Sequence, residues 1–217
     1  MKHSAHVAIL LLAACAPGTE ESPAPAATEA PAGRYTLDKA HASLVFRVDH
    51  LGFSNYTGAF KRFDASLDFN PENPEAMRVE ATIDPASLDL SAPPEGFLDT
   101  LLGPDWFGAG AFPEMTFTST AVALAGPDRA RVTGDFTLHG VTRPVTLEVA
   151  FNGGYAGYPP YDPQARIGFS AHGTLKRSDF GIAFGIPEEG STLGVSDEVD
   201  FIIEAEFTGP PAPEPPQ

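Results

Sequence analysis

The sequence predicts an all-β domain: an antiparallel barrel of eight strands with one short capping helix. Three observations carry that prediction. Eight segments alternate apolar and polar residues with a period of two, the pattern of a sheet with one dry face and one wet face. Several breaks between them carry Gly, Pro, Asn and Asp, the residues of tight turns. The chain has 16 Phe against one Trp and five Tyr, and Phe is the aromatic that needs no hydrogen-bond partner when buried. A large, dry interior follows.

The first element precedes that domain. Lys2 leads into Val7-Ala8-Ile9-Leu10-Leu11-Leu12-Ala13-Ala14, a run too short to span a bilayer as a helix. A positive charge, an apolar run and small residues make a secretory signal. Leu12-Ala13-Ala14-Cys15 resembles the bacterial lipobox, which implies cleavage before Cys15 and lipidation of its thiol. Residues 1–15 are therefore expected to be a lipoprotein signal peptide. The mature chain would be exported and anchored to a membrane through Cys15, facing the periplasm or the cell exterior. An ordinary cleaved signal with a chance cysteine is the alternative. Cys15 is the sole cysteine, so disulfides, cysteine-ligated metals and cysteine nucleophiles are excluded once it is lipidated. Residues 16–33 are Pro, Ala and Glu without periodicity, as expected of a disordered spacer. Residues 209–217 read as a similar tail, which leaves residues 34–208 as the domain.

Within the domain each strand shows its inward phase. Leu44, Phe46 and Val48 come first, then Ala65, Leu67 and Phe69, then Met77, Val79, Ala81 and Ile83. Phe97, Leu98, Leu101 and Leu102 break the pattern with helical spacing, and Gly103-Pro104 is a helix stop. This helix would lie over one barrel end, either as plain core closure or as a lid. Alternation resumes at Met115, Phe117, Ser119 and Ala121, and continues at Ala130, Val132, Gly134, Phe136 and Leu138. The last three segments present Val145 to Phe151, Ile167 to Leu175, and Val199 to Phe207 at every second position. Short links at 70–74, 126–128 and 139–142 imply hairpins. Eight strands in one sheet leave exposed edges unless the sheet closes, and an eight-stranded barrel can hold one small ligand. A two-sheet sandwich is the competing architecture. Ala and Gly beside Phe on the inner phase favour a barrel with a channel.

The net charge of -16, from 29 Asp+Glu and 13 Lys+Arg, excludes nucleic acid as a partner. His41 and His50 are nine residues apart, which points them to opposite faces of a strand. His-x-x-x-His, Gly-x-Ser-x-Gly and Gly-rich phosphate loops are absent from the sequence, so no catalytic residue and no metal site is expected. Arg177, Ser178 and Asp179 would either anchor a loop or contact a ligand headgroup.

Several runs together resemble the YceI-like polyisoprenoid-binding family. They are Tyr35-Thr36-Leu37-Asp38, His41-Ala42-Ser43-Leu44-Val45-Phe46-Arg47-Val48-Asp49-His50-Leu51-Gly52 and Gly58-Ala59-Phe60. Trp106-Phe107 and Phe112-Pro113-Glu114-Met115-Thr116-Phe117 follow. The most specific is Gly134-Asp135-Phe136-Thr137-Leu138-His139-Gly140-Val141-Thr142-Arg143-Pro144-Val145, and Lys176-Arg177-Ser178-Asp179-Phe180-Gly181-Ile182 and Asp197-Glu198-Val199 close the match. The segment ahead of the helix, Ala92-Pro93-Pro94-Glu95-Gly96-Phe97, departs from the histidine- and arginine-containing segment of many members.

The resemblance implies a lipocalin-like barrel that buries an isoprenoid chain, such as a quinone tail or a polyprenyl lipid. The candidate wall is Phe46, Val48, Phe60, Leu67 and Phe69 from the first strands. To these are added Trp106 and Phe107, then Phe117, Phe136 and Leu138, then Phe169, Phe180 and Phe201. No cofactor is expected other than a bound isoprenoid lipid or quinone. The expected partners are that apolar lipid and, through Cys15, a membrane; a homodimer stays open. The rival readings are an enzyme with a convergent polar triad inside the barrel and a structural or partner-binding lipoprotein with a filled core.

Overall fold

A computed structural model describes residues 26–211. The expected signal peptide, Cys15 and the outer parts of the spacer and tail lie outside the described residues. Ten strands form one sheet: β1 (Gly33–His50), β2 (Ser54–Phe60), β3 (Phe63–Phe69), β4 (Arg78–Ile83), β5 (Leu88–Leu90), β6 (Met115–Leu124), β7 (Arg129–Leu138), β8 (Val141–Tyr155), β9 (Gln164–Lys176) and β10 (Val195–Pro211). One helix, α1 (Phe97–Leu102), lies between β5 and β6.

The sheet closes because β10 pairs antiparallel with β1, Phe46 standing opposite Phe201. The ring is β1, β3, β4, β6, β7, β8, β9, β10, and these eight strands are the eight alternating segments of the sequence. Two short strands complete the upper half. β1 pairs with β3 at its start and with β2 at its end, so β2 and β3 act as one strand broken at Lys61 and Arg62. β4 and β5 are broken at the same level, by a 3-10 turn at Pro85–Ser87. Hydrogen bonds stitch the two breaks together: Lys61 N donates to Ser87 O (3.1 Å) and Arg62 N to Ser87 Oγ (3.0 Å).

Two bulges reset the side-chain phase. Between Leu37 and Ala42 the first strand carries more residues than its partner does between Phe207 and Ala205, so inward positions change from odd to even numbers. A second irregularity, between Ser119 and Ala121, overturns the expected inward phase of Ala121. Ala121 is exposed, and Val122 and Leu124 face the lumen instead.

The domain is also longer than the sequence bounds suggest. Ala30, within the expected spacer, is buried in the core beside Tyr35 and Ile167. β10 runs on through Gly209 to Pro211. The reason is packing: the Gly209 backbone lies so close to the Tyr35 ring that no Cβ fits there.

Candidate functional site

The inward side chains of the eight strands enclose a cavity of about 700 Å³, within the range of roughly 300–1,000 Å³ typical of small-molecule sites. Its wall is almost wholly apolar. From the candidate residues, the structure places Phe46, Val48, Phe60, Leu67 and Phe69 on this wall, with Phe117, Phe136 and Leu138 across from them. Phe169 and Phe201 close the circle, and Trp106 and Phe107 reach in from the loop after α1.

Phe180 does not join them. It is buried outside the cavity, edge-on to Phe136 at 5.6 Å, in the core layer with Ile182. Its alternation could not be read because it lies in a 3-10 turn, Arg177–Phe180, where a period of two has no meaning. Leu44, Leu147, Val149, Phe151 and Phe207 also line the cavity. Their signal was present in the sequence as the same alternation.

The lumen is open because the wall glycines hold aromatic rings flat. A Cβ at Gly58 would collide with Phe46, at Gly134 with Phe117, and at Gly173 with Phe201. Each ring therefore lies in the slot its neighbour leaves empty and forms wall rather than filler. The expectation that mixed residue sizes open a channel holds, but the glycines themselves are not the open space.

The upper end is capped. Leu101 of α1 is buried and, with Phe97, faces the cavity. Gly96 at φ +73 turns the chain into the helix, a conformation that favours glycine. Arg177 holds the neighbouring loop. It is 4% exposed, and its guanidinium donates to four carbonyls: Ser196 (2.9 Å), Ile182 (3.0 Å), Phe184 (2.8 Å) and Val195 (2.8 Å). Burial lowers its pKa while the charge of Asp197 opposes that shift; an arginine stays charged regardless. Ser178 N and Oγ both donate to Asp197 (2.9 and 2.8 Å). Arg177 and Ser178 thus anchor the loop, and Arg177 also lines the cavity at this end.

The lower end is part floor, part opening. Tyr35, Phe69, Phe151 and Ala30 pack its floor, while Pro71, Pro74, Met77 and Pro127 line a gap between the β3–β4 and β6–β7 turns. Polar side chains on the wall are few. Ser119 spends its hydroxyl on Val79 N (2.9 Å). His50 and Tyr56, with ring centroids 6.4 Å apart, stand at the upper rim with Arg177, and Arg78, Asp128 and Arg129 at the lower.

One group of potential metal-ligating side chains exists among the described residues: Asp38, His41 and Glu206. It lies on the outer face, in the polar phase of β10 and the bulge of β1. Arg166 already occupies it, with Nη1 2.6 Å from Asp38 and 4.0 Å from Glu206. Hydrogen bonds from His41 and then Arg166 hold the Asp38 pKa down at about 2. His41 is correspondingly raised, chiefly by its hydrogen bond to Asp38. The cluster is a salt-bridge network bracing the bulge against β9, and His41 and His50 point to opposite faces as their spacing required.

A profile for the YceI-like domain matches residues 35–207. Protein YceI of Escherichia coli O157:H7 is 40% identical over 183 residues, 83% of this chain and 89% of that protein. Among solved structures, Burkholderia cenocepacia BcnA superposes with a TM-score of 0.66 at 30% identity, covering 78% of this chain and 98% of that one. The Campylobacter jejuni YCEI protein gives 0.61 at 34%, covering 80% and 96%. A polyisoprenoid-binding domain from Saccharophagus degradans shares the fold, with a TM-score of 0.58 at 14% identity, covering 81% and 98%.

Proposed function

The chain belongs to the YceI-like domain family, and on that premise we propose that its barrel binds a long isoprenoid-type lipid, a quinone or polyprenyl chain, as an exported and membrane-anchored carrier. The observation that carries this reading is the cavity itself: a wall mainly of Phe, Leu and Val around about 700 Å³, whose mid-wall hydroxyl, Ser119, is already spent on Val79 N. That interior favours neither a filled core nor a catalytic triad. Burying a methylene from water releases about 0.8 kcal/mol, yet such a ligand starts in a bilayer that is as apolar as the barrel. Transfer between the two is close to neutral, so the protein loads and unloads without a deep trap. The lipobox-like Leu12-Ala13-Ala14-Cys15 supports a lipid anchor that keeps the barrel at the membrane, where its ligand resides.

The test is native mass spectrometry of the full-length protein purified from the exported fraction, followed by solvent extraction. A stoichiometric isoprenoid or quinone is expected. A clean ligand-free mass, with no uptake when quinones and polyprenols are offered, would overturn the carrier reading in favour of a partner-binding lipoprotein.

A further inference from the structure

We propose that the lower end of the barrel docks on a zwitterionic lipid bilayer, with Tyr158 and Tyr161 seated at headgroup depth and the lower cavity opening turned to the lipid. This rests on the anchored-lipoprotein reading of Cys15 and adds the orientation of the barrel to it.

Three observations converge on that end. The first is where the described chain begins. Ala26 N donates to Pro127 O (2.5 Å) in the β6–β7 turn, and Thr28 Oγ1 to Gly154 O (3.3 Å) in β8. The chain thus crosses the lower end as a strap and arrives from upstream at the rim of the lower opening, which Ala26 and Thr28 themselves line. Ten residues lie between Cys15 and Ala26, eleven Cα–Cα steps with a reach of at most about 40 Å when fully extended. The ten residues of β7 carry the wall from the lower turn to the upper one, roughly 33 Å along the strand. Strands in such a barrel tilt by about 35–45°, so the two ends stand roughly 25 Å apart along its axis, and seating the upper end on the membrane would take more than half of the tether along the outside of the barrel. Seating the lower end takes little of it.

The second is the β8–β9 loop. Tyr158 is 66% exposed and Tyr161 84% exposed. Their rings stack at 5.9 Å and 16°, on a loop that is braced rather than loose. Tyr155 Oη and Arg166 Nε both donate to Asp162 (2.6 Å each), and Arg166 continues to Asp38. An apolar ring with a polar tip suits the boundary between hydrocarbon and water.

The third is the opening. Its lip is Pro71, Pro74, Met77 and Pro127, with Arg78 and Arg129 beside them. The arginines suit headgroup phosphates. Glu29, Glu72, Glu75 and Asp128 share that end of the molecule, so the surface it fits carries both charges rather than net negative charge. A lipid chain could then pass from bilayer to cavity without crossing water. The upper end offers a competing apolar patch, Phe53, Phe184 and Leu193, and the test sets the two against each other.

Lipidated full-length protein is reconstituted into phosphatidylcholine–phosphatidylethanolamine vesicles with and without brominated phosphatidylcholine. Two probe variants share Trp106→Phe, which removes the single native tryptophan; one adds Tyr158→Trp and the other Phe53→Trp. The probe at position 158 is expected to shift to the blue and to lose at least half its emission to the bromolipid, with the probe at position 53 unchanged. A Tyr161→Trp probe should repeat the result from the neighbouring position. Quenching at position 53 alone would show that the upper end docks. Equal quenching at both, or quenching at neither, would also overturn the proposal. Intact mass of the same sample reports the acyl groups on Cys15. A protein without acyl groups removes the premise and the proposal with it. Native mass spectrometry of wild-type protein, with Trp106 in place on the wall, gives the ligand: an empty wild-type barrel beside docked probe variants refutes the carrier reading alone.

Discussion

The ring of Phe201 lies over Gly173, its cross-strand partner, so closely that a Cβ there would stand 2.5 Å from the ring and 2.9 Å from the Thr146 carbonyl. Gly173→Ala therefore pushes Phe201 off the wall and into the lumen. Overpacking of this kind costs about 1–3 kcal/mol. The variant should fold with reduced stability and show a smaller fraction of lipid-loaded protein by native mass spectrometry. Full loading would mean that the ring has room to move elsewhere.

At the upper end Arg177 faces Trp106, with its guanidinium carbon 5.1 Å from the ring centroid. Arg177→Met would leave the carbonyls of Ile182, Phe184, Val195 and Ser196 without their donor. Hydrogen bonds to a charged group contribute about 1.5–3 kcal/mol each, and losing a buried network at once is expected to destabilise by about 3 kcal/mol or more. Urea unfolding followed through Trp106 fluorescence measures it. Wild-type stability would show that the loop has other supports.

Much of this architecture was legible in the sequence. All eight ring strands were visible as alternation, because each has one face on an apolar lumen and one in water. β2 was hidden by a local feature. Tyr56, Gly58 and Phe60 point inward, but Gly58 carries no side chain and its slot is filled by Phe46 from β1. Alternation cannot register a hydrophobic position whose side chain is donated by another strand. β5 has three residues, too few to show a period.

The two bulges were hidden for a related reason. The excess residues at Asp38 and His41 make sense only with Arg166 of β9 alongside, some 125 positions on in the chain. Ala121 looked inward until the break after Ser119 moved the phase to Val122. The four-carbonyl role of Arg177 likewise depends on a loop that returns from Ile182 to Ser196, and a lone arginine in sequence does not show that. The chain crossing at Ala30 was obscured by composition, since Pro, Ala and Glu resemble a spacer whether or not one alanine is buried.

The inward phase of β7 has its own test. Phe136 lines the cavity and packs edge-on to Phe180. Phe136→Asp would set a carboxylate in an apolar lumen, which costs several kcal/mol unless it is protonated or paired. The expected outcome is a barrel free of lipid or unfolded, while Phe136→Leu keeps both fold and ligand. A stable, lipid-loaded Phe136→Asp protein would contradict the inward placement.

The floor responds to alkali. Tyr35 is fully buried, edge-on to Phe69 at 5.3 Å, and its hydroxyl donates to Pro31 O (2.8 Å). Burial pushes its pKa up to about 12, whereas an unfolded tyrosine ionises near 10. Below pH 10 the phenol is neutral in both states and the shift has no effect on stability. Between pH 10 and about 12 the unfolded chain releases a proton that the folded chain retains, so rising pH favours unfolding. Tyr35→Phe should lower stability by about 1 kcal/mol at neutral pH through the lost hydrogen bond. It should also remove this phenol's part of the decline above pH 10. Denaturant midpoints at pH 8, 10 and 11.5 for the two proteins give both quantities. Parallel pH profiles would show that Tyr35 ionises as freely in the folded chain as in the unfolded one.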